Sequence, residues 1–293
     1  MVEYNGKSIT IMCCSKCNVK CKHCYIEYTG NIPSKKLEEM VLKLKDKYEV
    51  SLNGTEILLN PNYLKAIKLL EQERILTNGI VIHNNDELLE KMKDSGIKWV
   101  CMSYHFDFHD LISPVKKEIV HDNIKRLKEK GFKVELMSTI SSTNYRKVEE
   151  MVQKSIALGA DCIRFTNLFN EGRTVDLDNK LLLTNDQINE FFDQFYQCKE
   201  LYGDMIKVRR SGTFSRDLRK DNSTYYCPAN ENTIALAPNY KVYPCPFLVR
   251  EGYEIGEYNN GKIYIDELYE NDNTRCMLHE ILNRGKQYTK IKI

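Results

Sequence analysis

The sequence lacks several features that would assign it to a secreted, membrane or nucleic-acid-binding class. Among 293 residues, 43 basic and 41 acidic side chains leave a net charge of only +2. No general electrostatic attraction to nucleic acid or anionic membranes is therefore expected. No run of 18 apolar residues is present, and the N-terminus lacks the charged and apolar segments of a signal peptide. We predict a cytoplasmic protein that has neither nucleic acid nor membrane as a partner.

Cysteine, by contrast, is plentiful. The chain contains 11 cysteines, and without a signal peptide this favours metal binding or catalysis over disulfides. Cys17, Cys21 and Cys24 are separated by three and then two residues. A short loop of this kind can bring its thiolates to one metal centre at little closure cost, and three thiolates leave a four-iron cluster one ligand short. A structural zinc knuckle and a disulfide framework are the alternatives.

Strand and helix patterns alternate through the first part of the chain. Five helical patterns separate six strand patterns, which lie near residues 8–13, 50–52, 75–79, 99–103, 133–140 and 162–165. This order predicts a parallel sheet with right-handed crossovers. A partial (β/α)6 TIM barrel is preferred to a Rossmann fold because no GxGxxG follows the first strand. The cysteine loop would then lie at the C-terminal edge of that strand, where such folds build their sites.

The change of pattern after residue 175 predicts three segments. Residues 1–175 form the barrel, 176–226 a linking helix and loop, and 227–293 a small α/β module made of a β-hairpin and a helix. Within the link, Thr184 begins a long helix. The basic stretch from Lys207 to Lys220 is expected to be a solvated surface, with a contact to a leader peptide or substrate as the alternative.

The first cysteine loop and three strand ends resemble the radical S-adenosylmethionine (SAM) superfamily. Cys17, Cys21 and Cys24 match its CxxxCxxC motif, and Gly54-Thr55-Glu56 resembles its GGE motif, with Thr in place of the second Gly. The resemblance implies a SAM-binding [4Fe-4S] cluster, with the backbone and carboxylate of the GGE-like motif holding the SAM amino group. It also implies that Thr77 and Asn78 lie near the SAM ribose, that His23 lies near the adenine, and that Ser103 contacts SAM from the fourth strand. The residues concerned are His23, Tyr25, Gly54, Thr55, Glu56, Thr77, Asn78 and Ser103.

The C-terminal module resembles a second type of iron-sulfur domain, termed SPASM or, in its shortened form, twitch. Cys227, a predicted hairpin and Cys245 match the first half of such a domain. A complete SPASM domain needs seven cysteines for two clusters, whereas only Cys276 remains here, so the resemblance implies a twitch form with one auxiliary [4Fe-4S] cluster. Cys276 and His279 replace the usual Cys-x-x-Cys pair, and histidine can replace cysteine on cluster iron. A free iron or a ligand from elsewhere are the alternatives to His279.

The resemblance implies reductive cleavage of SAM to a 5′-deoxyadenosyl radical that abstracts a hydrogen from the substrate. A flavodoxin or ferredoxin would supply the electron, and oxidation, cross-linking or epimerisation of a ribosomally synthesised peptide would follow. The first strand begins almost at the N-terminus, which leaves no room for a peptide-recognition domain. The alternatives are therefore a dehydrogenase or epimerase of a small molecule such as an aminocyclitol or sugar, and a non-catalytic iron-sulfur protein.

The remaining cysteines are expected to pack in the core, because cysteine is among the most buried residue types. Two of them lie on predicted barrel strands, where they could instead return a hydrogen atom to a substrate radical. These candidate catalytic residues are Cys101 and Cys162.

Overall fold

The computed structural model describes residues 1–27, 29–212, 227–270, 276–278, 281, 285 and 287–293. Its strands in chain order are β1 (Val2–Glu3), β2 (Ser8–Cys14), β3 (Glu49–Gly54), β4 (Arg74–Thr77), β5 (Trp99–Ser103), β6 (Lys133–Ile140), β7 (Cys162–Asn167), β8 (Lys207–Arg210), β9 (Thr233–Leu236), β10 (Lys241–Tyr243), β11 (Gly256–Asn259), β12 (Lys262–Ile265), β13 (Glu267–Tyr269) and β14 (Lys290–Lys292). Its helices are α1 (Ser34–Leu44), α2 (Tyr63–Leu69), α3 (Asp86–Asp94), α4 (His109–Ile112), α5 (Lys117–Glu129), α6 (Val148–Ala157) and α7 (Asn185–Tyr202).

The predicted parallel barrel is confirmed. Strands β4 to β8 form one parallel sheet in sequence order, and β2 pairs in parallel with β3. The helices bury one apolar face each; α3, for example, buries Leu88, Leu89 and Met92 and begins at Asn85, whose side chain accepts from the Leu88 N–H. None of the helices in the described part of the chain has the length and apolar character needed to cross a membrane.

Strand β8 is a seventh parallel strand that the sequence did not predict. It lies within the segment predicted to be a linking helix and loop, yet it pairs with β7 from Cys162↔Lys207 to Phe165↔Arg210. Only Val208 of its four residues is buried, because the strand lies at the edge of its sheet. An edge strand with three basic residues gives almost no hydrophobic pattern. The link therefore includes part of the barrel wall, and the basic stretch is a strand as far as Arg210.

One side chain joins the two parallel sheets where no strand pairing does. The Gln72 amide accepts from the Leu52 N–H at 2.7 Å and donates to the Leu52 carbonyl at 3.0 Å and the Arg74 carbonyl at 2.9 Å. Gln72 thus replaces a stretch of backbone pairing between β3 and β4. The C-terminal ends of β2 to β7 consequently face one common side.

The C-terminal hairpin continues the barrel sheet. Strand β9 pairs in parallel with β2 from Ser8↔Thr233 to Ile11↔Leu236, and β10, β11, β12 and β1 follow as antiparallel strands. Tyr240 in the β9–β10 turn has φ +61, the left-handed conformation that glycine adopts most easily. This register places the hairpin turn at the level of the cysteine loop that follows β2, and the two ends of the hairpin level with the start of β2.

Candidate active site

The first cysteine loop is anchored at its base. The Ser15 hydroxyl accepts hydrogen bonds from the Thr29 and Gly30 N–H groups at 2.9 and 3.0 Å. The Cys14 backbone forms an isolated antiparallel β-bridge with Asn31. The Ile32 N–H donates to the Cys13 carbonyl at 2.9 Å. These bonds close the two ends of the loop on each other, so the three cysteines between them project from a fixed base.

The three predicted cluster thiols line one cavity and contact polar groups from the neighbouring strands. The Asn78 amide lies 3.7 Å from the Cys17 sulfur. The Arg173 guanidinium donates to the Cys21 carbonyl at 2.8 Å, and its backbone N–H donates to the Cys24 carbonyl at 3.0 Å. Burial raises the pKa of the Cys21 thiol to about 11. Metal binding must therefore displace its proton.

The end of β3 approaches the loop at the predicted GGE-like motif. A Cβ on Gly54 would lie 2.7 Å from the Cys14 sulfur and 2.9 Å from its carbonyl, so glycine is required there. The Thr55 hydroxyl donates to the Lys16 carbonyl at 2.5 Å, and its N–H donates to the Cys14 carbonyl at 3.1 Å. The threonine that departs from the motif is therefore used to hold the cysteine loop.

The placement of Glu56 differs from the direct SAM contact expected from the sequence. Its side chain is 1% exposed and does not line the cavity. Both carboxylate oxygens point at the end of β4, where they accept from the Thr77 hydroxyl at 2.9 Å and the Asn78 N–H at 2.7 Å. Glu56 thus positions Thr77 and Asn78, which do line the cavity.

The buried Glu56 carboxyl should make the stability of the protein depend on pH. Burial raises its pKa from 4.5 to about 7, so the folded state binds more protons than the unfolded state between these values. Stability should consequently fall by about 3 kcal/mol as the pH rises from about 4.5 to 7. Urea unfolding of apoprotein at several pH values should reveal this slope, and Glu56→Gln should remove it. An identical slope in the two proteins would contradict the prediction.

His23 lies beside a second, more deeply buried histidine that the sequence did not identify. Its ring meets His105 edge-on at 4.6 Å between centroids, and its Nδ1 donates to the Ile112 carbonyl at 3.3 Å. Burial lowers the pKa of His23 to about 4, so the ring is neutral. His105 follows the predicted SAM contact Ser103 by two residues, and both line the cavity.

The second cysteine set flanks the C-terminal hairpin. Cys227, Cys245 and Cys276 line the same cavity as the first set, and burial raises the pKa of Cys245 to about 12. The Asn230 side chain supports this end of the hairpin by exchanging two hydrogen bonds with the Tyr269 backbone, at 2.8 and 3.0 Å. His279, the predicted fourth ligand, lies outside the described residues.

An aromatic group and an ion pair connect the two cysteine sets. Tyr25 follows Cys24, and its ring contacts Phe247, which follows Cys245, with 4.9 Å between centroids. Burial raises the pKa of the Tyr25 hydroxyl, and the thiols of Cys24 and Cys245 raise it further. The ion pair joins Arg250, which is 6% exposed, to Glu171 at 2.5 Å.

Glu171 begins the turn that holds the first cysteine loop. Its carboxylate caps the Gly172 N–H at 3.1 Å, and the next residue is the Arg173 that contacts two cluster-loop carbonyls. Gly172 has φ +60, and a Cβ there would lie 2.6 Å from the Cys24 carbonyl oxygen. Residues 171–173 therefore link the C-terminal module to the first cysteine loop.

The cavity between the two sets has a volume of about 550 Å³ and contains both sets of thiols. All six are free cysteines, which removes the disulfide alternative for them. Among the described residues, no three His, Cys, Asp or Glu side chains lie close enough together to hold a single metal ion. A cluster of several iron atoms holds its ligands further apart than a single metal ion does. The donor set suits iron-sulfur clusters.

Cys101 and Cys162 face the barrel interior but do not line the cavity. They pair in register with Glu135 on either side, and Glu135 forms ion pairs with Arg74 and Arg164. Burial raises the pKa values of the two thiols to about 11 and about 12. This layer lies below the cavity floor, to which Arg164 contributes. The hydrogen-donor role, which was the alternative to core packing for these cysteines, is therefore not supported by their position.

Comparison with known protein families identifies this arrangement. Residues 11–155 match the model of the radical SAM superfamily, and this range includes the first cysteine loop and strands β3 to β6. The chain contains a radical SAM domain. Its cofactors are accordingly SAM and iron-sulfur clusters of the [4Fe-4S] type.

Two curated proteins are similar to this one along most of the chain. The subtilosin biosynthesis protein AlbA of Bacillus subtilis is 24% identical over 282 residues, which cover 91% of this chain and 59% of AlbA. A protein of Pyrococcus furiosus that modifies the cofactor of tungsten-containing aldehyde ferredoxin oxidoreductase is 20% identical over 79% of this chain and 68% of that protein. The chain thus spans about three fifths of the length of AlbA.

A solved structure shares the fold at low sequence identity. Streptococcus suis SuiB, crystallised with its precursor peptide SuiA, superposes with a TM-score of 0.69 and 16% identity. The match covers 88% of this chain and 63% of SuiB. At this identity the similarity shows that the two chains share a fold.

Proposed function

We propose that this enzyme modifies a ribosomally synthesised peptide by oxidation, cross-linking or epimerisation. The observation that supports the proposal is a single cavity lined by both cysteine sets and by the predicted SAM-contacting strand ends. AlbA acts in bacteriocin biosynthesis, and SuiB binds a precursor peptide. A cavity of about 550 Å³ can take SAM and one substrate side chain, while the rest of a peptide would stay outside.

In this proposal Cys17, Cys21 and Cys24 hold the SAM-binding cluster, and Cys227, Cys245 and Cys276 belong to a twitch-type auxiliary cluster. When bound, the first cluster and SAM supply a 5′-deoxyadenosyl radical that abstracts hydrogen from an unactivated carbon. A low-potential donor such as a flavodoxin or ferredoxin would provide the electron. The chain's own residues orient these groups and keep water away from the reacting carbon.

The SAM-contacting residues act from successive strand ends. The Gly54 and Thr55 backbone, which needs the glycine to approach the cysteine loop, would hold the methionyl end of SAM. Asn78 lies at hydrogen-bonding distance from Cys17 and from Asn18, at 3.7 and 2.7 Å, so its amide orients the cluster loop. Ser103 on β5 would donate a hydrogen bond to SAM, and His23 would pack against its adenine base. Thr77 and Asn78 are in turn held by Glu56.

Anaerobic incubation with SAM and dithionite tests the catalytic class. The reconstituted protein should form 5′-deoxyadenosine and methionine, slowly without substrate and faster with it. The absence of 5′-deoxyadenosine under these conditions would favour the non-catalytic iron-sulfur protein. For the substrate, the alternative is a small molecule, which the relative that modifies a cofactor favours. Assays against peptides encoded beside this gene and against small molecules would separate the two.

Neither barrel-layer thiol should be needed for turnover. Because Cys101 and Cys162 lie beneath the cavity floor, Cys101→Ala and Cys162→Ala should leave the rate of 5′-deoxyadenosine formation within about twofold of wild type, a change of only about 0.4 kcal/mol in barrier. When the reaction is run in deuterium oxide, the deuterium content of the product should be the same for wild type and for both variants. Loss of turnover in one variant, with one deuterium in the wild-type product, would instead assign that cysteine as the hydrogen donor of an epimerase.

A further inference from the structure

Two deeply buried polar side chains face the cavity without a protein partner among the described residues. The His105 Nε2 atom and both amide atoms of Asn167 form no hydrogen bond. His105 is 2% exposed and Asn167 is 5% exposed, and both line the cavity. Buried polar groups in proteins are nearly always paired, so these atoms indicate a ligand group.

The hydrogen bonds around His105 fix which ring nitrogen carries the proton. The Thr139 N–H donates to His105 Nδ1 at 3.0 Å, so Nδ1 is the acceptor and the proton of the neutral ring is on Nε2. Burial lowers the pKa of His105 well below 6.5, and the neighbouring His23 and His109 lower it further. His109 is itself neutral in this arrangement, since its Nδ1 accepts from the His105 N–H at 3.1 Å and its Nε2 donates to the Val115 carbonyl at 2.7 Å. His105 therefore presents one uncharged donor to the cavity.

The two side chains belong to a continuous polar rim on three neighbouring strands. His105 follows β5 and is bonded to Thr139 on β6. Thr139 pairs with Thr166 on β7, with 3.5 Å between the hydroxyl oxygens, and Asn167 is the next residue. Of the proposed SAM contacts, those on β3 and β4 come from other strands than the rim, whereas Ser103 on β5 and His23, whose ring contacts His105, border it. A second molecule on the rim would therefore lie next to SAM.

We propose that His105 and Asn167 bind an amide group of the substrate, an inference that rests on the proposed peptide-modifying function. The amide carbonyl accepts from His105 Nε2–H, and the amide N–H donates to Asn167 Oδ1. The Asn167 N–H₂ group can donate to a second carbonyl. A carboxylate fits less well because its oxygens would face Asn167 Oδ1, and the cationic Arg164 and Arg173 offer it better partners elsewhere in the cavity.

The test uses the reconstituted protein with SAM and a blocked glycine, N-acetylglycine N-methylamide, as the amide probe. Its diester analogue, methyl acetoxyacetate, keeps both carbonyls but lacks both N–H groups. Saturation-transfer NMR should detect the amide probe, and the diester should bind at least fivefold more weakly. Asn167→Leu and the isosteric Asn167→Asp should weaken amide binding at least fivefold while SAM affinity stays within twofold. His105→Gln, which retains a donor, should weaken the amide probe less than His105→Phe does.

Three results would overturn the assignment. The first is equal binding of the amide and the diester to wild type, or no binding of either. The second is an unchanged amide affinity in variants whose iron content and circular dichroism match wild type. The third is a tenfold loss of SAM affinity without loss of amide binding, which would assign the rim to the adenine base. Wild-type cleavage of SAM is measured in parallel, so failure of the amide site and failure of the catalytic proposal give different results.

Discussion

Replacing Cys17, Cys21 and Cys24 together by alanine is expected to abolish the cleavage of SAM and to halve the iron content. Two four-iron clusters give about eight irons per wild-type chain, and the variant should retain about four. The cavity contains both sets of thiols, but each set is held by its own backbone: the first by the Ser15 loop base and the second by the β9–β10 hairpin. Loss of the first cluster should therefore leave the second bound.

The matched control replaces Cys227, Cys245 and Cys276 by alanine. This variant should also contain about four irons, yet it should still bind SAM. Iron analysis and electron paramagnetic resonance after anaerobic reconstitution measure both outcomes. A wild-type content near four irons would remove the auxiliary cluster from the proposal, and a variant that loses all iron would show that the two sites form only together.

Gly172→Ala is expected to remove the first cluster through a contact made from outside the cysteine loop. The new Cβ would lie 2.6 Å from the Cys24 carbonyl oxygen and 2.8 Å from the Tyr25 Cα. Both contacts are with backbone, so the loop must shift rather than a flexible side chain. The hydrogen bonds from Arg173 to Cys21 and Cys24 would be lost in the same movement. We expect most of the SAM-cluster iron and all SAM cleavage to be lost.

Gly159→Ala is the control for backbone strain. Gly159 also has positive φ, at +80, but a Cβ there meets nothing within 4 Å. It should cost about 1–2 kcal/mol of stability and leave the iron content unchanged. If the two glycine variants lose iron equally, general destabilisation rather than the contact with Cys24 would be the cause.

The sequence predicted the parts of the protein that depend on local patterns. The spacing of Cys17, Cys21 and Cys24 and the alternation of strands with helices are both visible within short windows. The interpretation of residues 54–56 as a GGE-like motif stays a prediction, and the Glu56 carboxylate points at the end of β4 instead of into the cavity. Its partners Thr77 and Asn78 lie more than 20 residues further along the chain, and only the meeting of two strand ends brings them to it.

The sequence did not single out Asn167 as a site residue, and the reason is physical. Asn167 is one polar residue at the end of a strand, which is a common sequence feature, and its lack of partners appears only in three dimensions. For Cys101 and Cys162 the sequence left the direction of the side chain open, and both face the barrel interior. Their height in the barrel relative to the cavity depends on strand register, which a single sequence does not encode in a readable form.

The pairing of β2 with both β3 and β9 has a consequence for how the protein is made. Strand β2 emerges early from the ribosome and meets β3 about 40 residues later, but Ser8 pairs with Thr233 across 225 residues (233 − 8). At typical rates of synthesis this interval is roughly 10–45 s, and contacts of such long range also form slowly. During this time the first cysteine loop borders an unfinished sheet and is accessible to solvent. Iron delivery to the nascent chain would meet an incomplete site, so cofactor insertion should follow release of the chain.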